Sequence, residues 1–316
     1  MNLFIQKKSF LIIGHTGFIG QNLLKKMKKE KKQLFLISRK ILKKNKLKNE
    51  FEYDVFNNYE WFKYLKNNMT IFFLAYNNDL YNLEKNKDYL LKIIKFCIHF
   101  NEYIIKKKIK INFIFTSTAT IYGVTKINQI VNEKFPDKPL SLYDKSKLCF
   151  ENIFLDYTKR TNLNFISLRL TNIYGYYSHK KQINRGFLNK LINKSINNIQ
   201  IDIFGNGTNK RSYVYIDDLI NAILITAKKI EKLKSKIFLI CDNKSYSFNE
   251  ILNIIGKSLK KKLKIKKMNY PKLIHKIEKR SFNGSNLFFK KKTGWFPKMK
   301  FDHGIKTIIN ESLKDN

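Results

Sequence analysis

The sequence predicts an α/β protein: a doubly wound parallel sheet with helices on both faces, followed by a smaller C-terminal α/β lobe. Three observations carry this. Short, continuously apolar runs alternate with helical stretches up to Leu170. A glycine trio, Gly14, Gly17 and Gly20, sits where the first run meets the first helix. Beyond Leu170 the alternation loosens. Strands that are apolar along their whole length are buried on both faces, as in a parallel sheet whose crossover helices cover it.

The elements follow in order. Ser9–Gly14 is a β-branched, leucine-rich run that stops at glycine, and Phe18–Glu30 repeats apolar residues at helical spacing. Gln33–Ser38 reads as a second strand and Thr70–Ala75 as a third. Asp79–Lys108 is a long helix, Ile111–Ser117 a strand, Tyr143–Thr161 a helix and Asn164–Leu170 a strand. Right-handed crossovers wind such a series into one sheet. Further on, helices are expected at 185–196, 217–232 and 247–260, and strands at 200–204, 211–216 and 236–241. Two or three short helices fill 271–313. The expected division is a nucleotide-binding domain of residues 1–170, to which 216–241 returns, and a lobe of 171–215 and 242–316.

At 316 residues the chain buries a core without staples. Three scattered cysteines, Cys97, Cys149 and Cys241, make neither a disulfide framework nor a thiolate zinc site, and Cys149 reads as a packed core residue. His15 reads as a loop side chain. It and the other histidines (His99, His179, His275, His303) share no ligand spacing, so no metal is expected. No apolar run approaches the roughly 18 residues of a membrane span. Lys7-Lys8 cuts the first apolar stretch, so no signal peptide is read and the cytoplasm is the expected compartment. The formal net charge of +39 is the main anomaly. It is almost all lysine, spread along the chain, with arginine only at Arg39, Arg160, Arg169, Arg185, Arg211 and Arg280. A nucleic-acid footprint would cluster and use arginine for bidentate contacts, so AT-rich codon usage explains the charge better.

The turn Gly14-His15-Thr16-Gly17-Phe18-Ile19-Gly20 takes three of only 12 glycines. One glycine makes a tight turn, one admits a pyrophosphate to the backbone, and one allows close helix–strand packing. Phe18, Ile19 and Gly20 open the helix, whose free N–H groups and partial positive charge suit phosphates. The second strand ends Ser38-Arg39-Lys40 with no carboxylate to bind an adenosine ribose. Ser38 and Arg39 could instead hold a 2′-phosphate, which favours NADP slightly over NAD. In Tyr53-Asp54-Val55, a carboxylate could accept from the adenine amino group; a solvated turn residue is the equal alternative.

Tyr143 and Lys147 stand one turn apart on a helix start and share a face. A free phenol is a poor base at neutral pH, and a held cation favours its phenolate. Lys147 could provide that cation and also bind the nicotinamide ribose. Thr118, just past a strand end, could share the proton of a substrate hydroxyl. With 17 tyrosines such spacing arises by chance, and only the ordered combination is specific.

GHTGFIG (14–20), FTSTATIYG (115–123) and YDKSK (143–147) together resemble the extended short-chain dehydrogenase/reductase family, the sugar-nucleotide epimerases and dehydratases, most closely the UDP-hexose 4-epimerases. RLTNIYG (169–175), FGNGTNKRSYVYIDD (204–218) and GWFP (294–297) continue the resemblance along nearly the whole chain. It implies a Rossmann-type NAD(P) domain, a sugar-nucleotide lobe, and Thr118, Tyr143 and Lys147 as the catalytic set. It also implies that Ala75 and Asn86 line or support the nicotinamide. Asn172, Arg211 and Arg280 would face the substrate diphosphate, and a guanidinium fork suits phosphate oxygens. Arg169 reads better as half of a structural ion pair. In the 4,6-dehydratase subclass an Asp-Glu pair follows the active threonine, whereas Ala119 and Thr120 cannot ionise, so dehydration is disfavoured. The expected activity is nucleoside-diphosphate-hexose 4-epimerisation through a 4-keto intermediate. The alternatives are an NADPH-dependent 4-keto-sugar reductase and a non-catalytic NADP-binding regulator. The helix at 79–108 is apolar around much of its circumference, and the family often dimerises through such helices, so a homodimer is expected.

Overall fold

A computed structural model describes residues 9–28, 33–41, 49–76, 83, 88–126, 129–176, 186–269 and 280–314. Its first half runs β1 (Ser9–Ile13), α1 (Phe18–Lys28), β2 (Gln33–Ser38), β3 (Glu50–Glu52), β4 (Met69–Phe73), α2 (Tyr89–Lys107), β5 (Ile111–Thr118), β6 (Ile130–Val131), α3 (Leu142–Tyr157) and β7 (Leu163–Leu170). It continues with β8 (Asn172–Tyr174), α4 (Phe187–Ile196), β9 (Ile201–Phe204), β10 (Lys210–Tyr215), α5 (Ile216–Leu233) and β11 (Lys236–Ile240). Then come β12 (Ser245–Ser247), α6 (Phe248–Leu259), β13 (Ile265–Met268), β14 (Asn283–Gly284), α7 (Leu287–Thr293) and α8 (Phe301–Lys314).

The large sheet has seven strands in the order β11-β7-β5-β4-β1-β2-β3. The ladders β3–β2, β2–β1, β1–β4 and β4–β5 are parallel. From β1 the chain winds outward through β2 and β3, then returns to β4 and winds the other way. The switch point therefore lies between the ends of β1 and β4, where open α/β sheets bind ligands. Every residue of β1, β4 and β5 is buried, as the unbroken apolar runs require.

The sheet packs through phenylalanine. Phe96 and Phe100 on α2, and Phe150 and Phe154 on α3, repeat at helical spacing and face Phe73, Phe113, Phe115 and Phe165 of the strands. Phe115 and Phe150 stack at 4.1 Å, and Phe150 and Phe154 at 4.4 Å. Each buried ring contributes about 1.5–3 kcal/mol. The remaining face of α2 leaves Leu91, Ile98 and Ile105 exposed at 55%, 36% and 47%, so deeper burial within one chain does not account for them.

The chain divides into two compact units. The first comprises 1–121, 139–169 and 220–238; the second comprises 122–138, 170–219 and 239–316. The second unit carries small ladders, β8–β10–β12, β9–β13 and β6–β14. Trp295 Nε1 donates to the Asp218 carbonyl at 2.9 Å. The Asp218 carboxylate accepts from Lys298 N at 3.0 Å and Met299 N at 2.9 Å, which pins the GWFP segment.

Three differences from expectation stand out. The charged strand β3 intervenes before the strand expected third, which is β4. The expected 79–108 helix is described as Tyr89–Lys107, its first part lying outside the described residues. The two- and three-residue strands of the second unit are too short for periodicity to reveal.

Candidate active site

The glycine turn lies at the switch point. Gly14 has φ +90°, and a Cβ there would stand 2.7 Å from Ala75 N, so only glycine lets the turn pass the end of β4. A Cβ on Gly20 would stand 2.2 Å from the Gly14 carbonyl oxygen, so that glycine serves helix–turn packing. One on Gly17 would meet only the same oxygen, at 3.3 Å, which leaves its outer side open. The ladder of α1 begins with Gln21 N donating to Gly17 O at 2.9 Å. The amides of the first turn, at Phe18, Ile19 and Gly20, therefore lie at the positive helix end. This cradle fits a dinucleotide pyrophosphate.

His15 is a correction to the reading of a plain loop side chain. It is buried, with Nε2 2.6 Å from Glu50 Oε1 and Nδ1 3.3 Å from the Ile37 carbonyl. It thus ties the glycine turn to β2 and β3. Ser38 is buried and donates its hydroxyl to Lys40 O at 2.9 Å, while Arg39 is exposed. Glu52, which pairs with Ser38 across the β2–β3 ladder, accepts from Ile41 N at 3.2 Å. Asp54 organises its own turn, accepting from Phe56 N at 3.2 Å and from Asn57 Nδ2 at 2.9 Å, and Val55 is buried beside it. Asn86 lies outside the described residues.

Helix α3 begins with a capping box: Asp144 N donates to Ser141 Oγ at 3.1 Å and Ser141 N donates to Asp144 Oδ2 at 3.1 Å. This cap fixes the first turn, which carries Tyr143 and, one turn on, Lys147. Lys147 is 2% exposed, donates from Nζ to the Thr116 carbonyl at 2.5 Å, and sits 3.8 Å from the Tyr76 ring centroid. The Tyr143 ring centroid is farther, at 5.7 Å. Tyr76 stands edge-on to Tyr143 at 5.7 Å and donates to Ser146 Oγ at 2.8 Å. Burial pushes the Tyr143 phenol up, and the charge of Asp144 adds to the effect. Burial pushes Lys147 well down, partly offset by Glu151. The easing of the phenol expected from Lys147 is therefore not what the protein alone shows, where burial raises it.

Thr118 ends β5 and is buried. Its Oγ1 lies 2.8 Å from Thr120 Oγ1 and accepts from Thr120 N at 3.2 Å. Thr120 Oγ1 in turn donates to Asp144 Oδ1. Glu151, one turn beyond Lys147, pairs with Arg169 at 2.7 Å and accepts from Ser167 at 2.7 Å. That pair is buried, which gives Arg169 the structural role expected of it.

In the second unit, Asn172 Nδ2 donates to Ser212 O at 3.1 Å, and Arg211 Nη1 donates to Lys210 O at 3.1 Å. Phe282 N donates to Lys210 O at 2.9 Å and Lys210 N to Ser281 Oγ at 3.2 Å, which ties the segment after Arg280 to the start of β10. Arg280 itself is 8% exposed. Asn172, Arg211 and Arg280 all belong to that unit. Among the described residues no group of three His, Cys, Asp or Glu side chains could hold a metal. No helix among them is long and apolar enough to cross a membrane.

His15, Glu50, Glu52, Tyr76, Thr120 and Asp144 were not singled out by sequence as site residues. The contacts that bring His15 to Glu50, Tyr76 to Ser146 and Thr120 to Asp144 join residues far apart in sequence, so no local spacing signalled them.

A glycine turn at the switch point, a threonine at the end of β5 and a Tyr/Lys pair at the start of α3 fit the extended short-chain dehydrogenase/reductase type. The chain belongs to the NAD dependent epimerase/dehydratase family, whose signature matches residues 10–241. It is 29% identical to an Escherichia coli dTDP-4-dehydro-6-deoxyglucose reductase, over 96% of this chain and 97% of that one. Two other curated relatives are matched over part of their length, 61% of one and 29% of the other. The fold matches that of MoeE5 in complex with UDP-glucose and NAD, with a TM-score of 0.83, 20% identity, and coverage of 97% and 99%. It also matches a UDP-glucose 4-epimerase from Thermotoga maritima bound to UDP-glucose, with a TM-score of 0.83, 21% identity, and coverage of 97% and 99%.

Proposed function

We propose that this enzyme is a nucleoside-diphosphate-hexose 4-epimerase. The first unit would hold the dinucleotide and the second the sugar nucleotide. The observation that carries the reading is the first-unit set Thr118, Tyr143 and Lys147 with no ionisable side chain at Ala119 or Thr120. Such a set supports alcohol oxidation and its reversal, and offers no acid–base pair there for eliminating water.

Gly14, Gly17 and Gly20, with the amides of Phe18 and Ile19, would receive the pyrophosphate. Asp54 and Val55 would border the adenine, and Ala75, with Asn86, the nicotinamide. When bound, the nicotinamide accepts a hydride from the sugar and returns it. Tyr143 takes the proton of the 4-hydroxyl as the 4-keto sugar forms, and gives it back after the sugar has turned. Lys147 would move from the Thr116 carbonyl toward the phenol and a ribose hydroxyl, which eases ionisation of Tyr143. Thr118 shares the sugar hydroxyl, and Asn172, Arg211 and Arg280 hold the diphosphate.

NAD is the cofactor we infer. The expectation of NADP rests on Arg39, which is exposed, and Ser38 directs its proton to Lys40 O. That oxygen keeps only acceptor capacity, which suits a ribose hydroxyl and opposes a phosphate. The protein would act as a homodimer through the exposed seam Leu91, Ile98 and Ile105, which repeats every seven residues along α2.

A second reading, reduction of a 4-keto-6-deoxy sugar nucleotide, is favoured by the full-length resemblance to the E. coli reductase. Purified protein is incubated with UDP-glucose without added cofactor. Interconversion with UDP-galactose supports the epimerase. Oxidation of added NADPH or NADH only with a 4-keto-6-deoxy sugar nucleotide overturns it in favour of the reductase.

A further inference from the structure

We propose that Thr120 and Asp144 form a proton relay behind Thr118, which gives the sugar hydroxyl a second proton route, ending on a buried carboxylate. This rests on the reading of Thr118 as the residue that meets the sugar hydroxyl.

The direction of the chain follows from its chemistry. A carboxylate only accepts, so the single hydroxyl proton of Thr120 goes to Asp144 Oδ1. Thr120 Oγ1 can then be only the acceptor in its 2.8 Å contact with Thr118 Oγ1. The Thr118 proton therefore points away from the substrate side. Thr118 also accepts from Thr120 N, at 3.2 Å, and its other lone pair is left to receive a hydrogen bond. A sugar hydroxyl is the donor that this lone pair suits.

Asp144 divides its two oxygens between tasks. Oδ2 accepts from Ser141 N at 3.1 Å and Leu140 N at 3.4 Å, which holds the helix cap. Oδ1 takes Thr120. The segment after Thr118 has no acid of its own; α3 brings a single carboxylate, Asp144, behind Thr120. Asp144 is 1% exposed, so water does not compete for it.

The transfer balances. Where this route rather than Tyr143 takes the proton, the sugar hydroxyl proton would pass to Thr118 Oγ1 as the C–H hydrogen leaves with its electron pair as hydride. The Thr118 proton passes to Thr120 Oγ1, and the Thr120 proton to Asp144 Oδ1. The sugar gains a carbonyl and Asp144 becomes a neutral acid. Return of the hydride reverses each transfer. Thr120 and Asp144 act through Thr118 and are positioning residues.

The test uses Thr120→Val, which removes the relay and leaves the cap, and Thr120→Ser, which restores the hydroxyl. The first readout needs no substrate: the carboxyl ¹³C resonance of Asp144 at fixed pH, assigned by its loss in Asp144→Asn. It should shift in Thr120→Val and stay in place in Thr120→Ser. The second is single-turnover reduction of bound nicotinamide by UDP-glucose. Its rate should fall about 10²-fold in Thr120→Val with half-saturation within about threefold, and recover in Thr120→Ser. A curved proton inventory in the wild type should become linear in Thr120→Val. Unchanged resonance and rate in Thr120→Val, or equal damage in Thr120→Ser, overturn the relay. If the wild type reduces nicotinamide but forms no UDP-galactose, the epimerase reading falls and the relay is still decided by the variants. No reduction in the wild type overturns both.

Discussion

Tyr143 starts at a disadvantage as a base. Its burial and the nearby Asp144 charge hold the phenol above its ordinary value, and the ammonium of Lys147 rests on Tyr76 and the Thr116 carbonyl. On the proposed reading, a bound dinucleotide would complete the base if its ribose drew Lys147 toward the phenol. Tyr143→Phe should lower turnover by about 10²–10⁴-fold, as measured by sugar-nucleotide interconversion. Its cofactor affinity, followed by fluorescence titration, should stay within about threefold. Interconversion surviving that change would remove Tyr143 from the role of base. At the adenosine end, Arg39→Ala should leave NAD affinity within about threefold. A tenfold or greater loss of NADP affinity in that variant, with NADP the tighter ligand in the wild type, would reverse the cofactor assignment, since a guanidinium–phosphate pair is worth at least that much. Tyr143, Lys147 and Thr118 were readable from sequence because each sits at a fixed offset from a local landmark. His15 and Glu50 were not, because their 2.6 Å contact joins residues of different strands.

Helix α3 holds the site together through its cap and its interior. Its cap orients Tyr143, and its interior carries the buried Glu151–Arg169 pair one turn past Lys147. Ser141→Ala removes the acceptor for Asp144 N and should cost about 1 kcal/mol in chemical denaturation. Glu151→Leu leaves the Arg169 guanidinium buried without its carboxylate and should cost about 3–5 kcal/mol by the same measurement. A cost below 1 kcal/mol would mean that Arg169 finds water or another partner. The helices and central strands were legible because hydrophobic period reports burial directly. β3 was not, because its sequence Glu-Phe-Glu has the charge of a loop. It becomes a strand by pairing with β2 at the sheet edge, and the Glu50–His15 contact compensates for burying a carboxylate.

At the scale of the molecule, the proposed homodimer would form through the exposed seam on α2. The doubly substituted Leu91→Glu, Ile98→Glu protein should elute as a monomer in light-scattering chromatography, where the parent elutes as a dimer. A monomeric parent would remove that proposal. The sequence by itself determined the sheet, the glycine turn and the facing Tyr143–Lys147 pair, because local period and spacing dictate them. Tertiary structure decided which distant groups meet: Asp144 with Thr120, Glu50 with His15, and Glu151 with Arg169. Those encounters depend on strand order, register and helix docking, which set the distance between side chains many residues apart and leave no repeat in the chain to read.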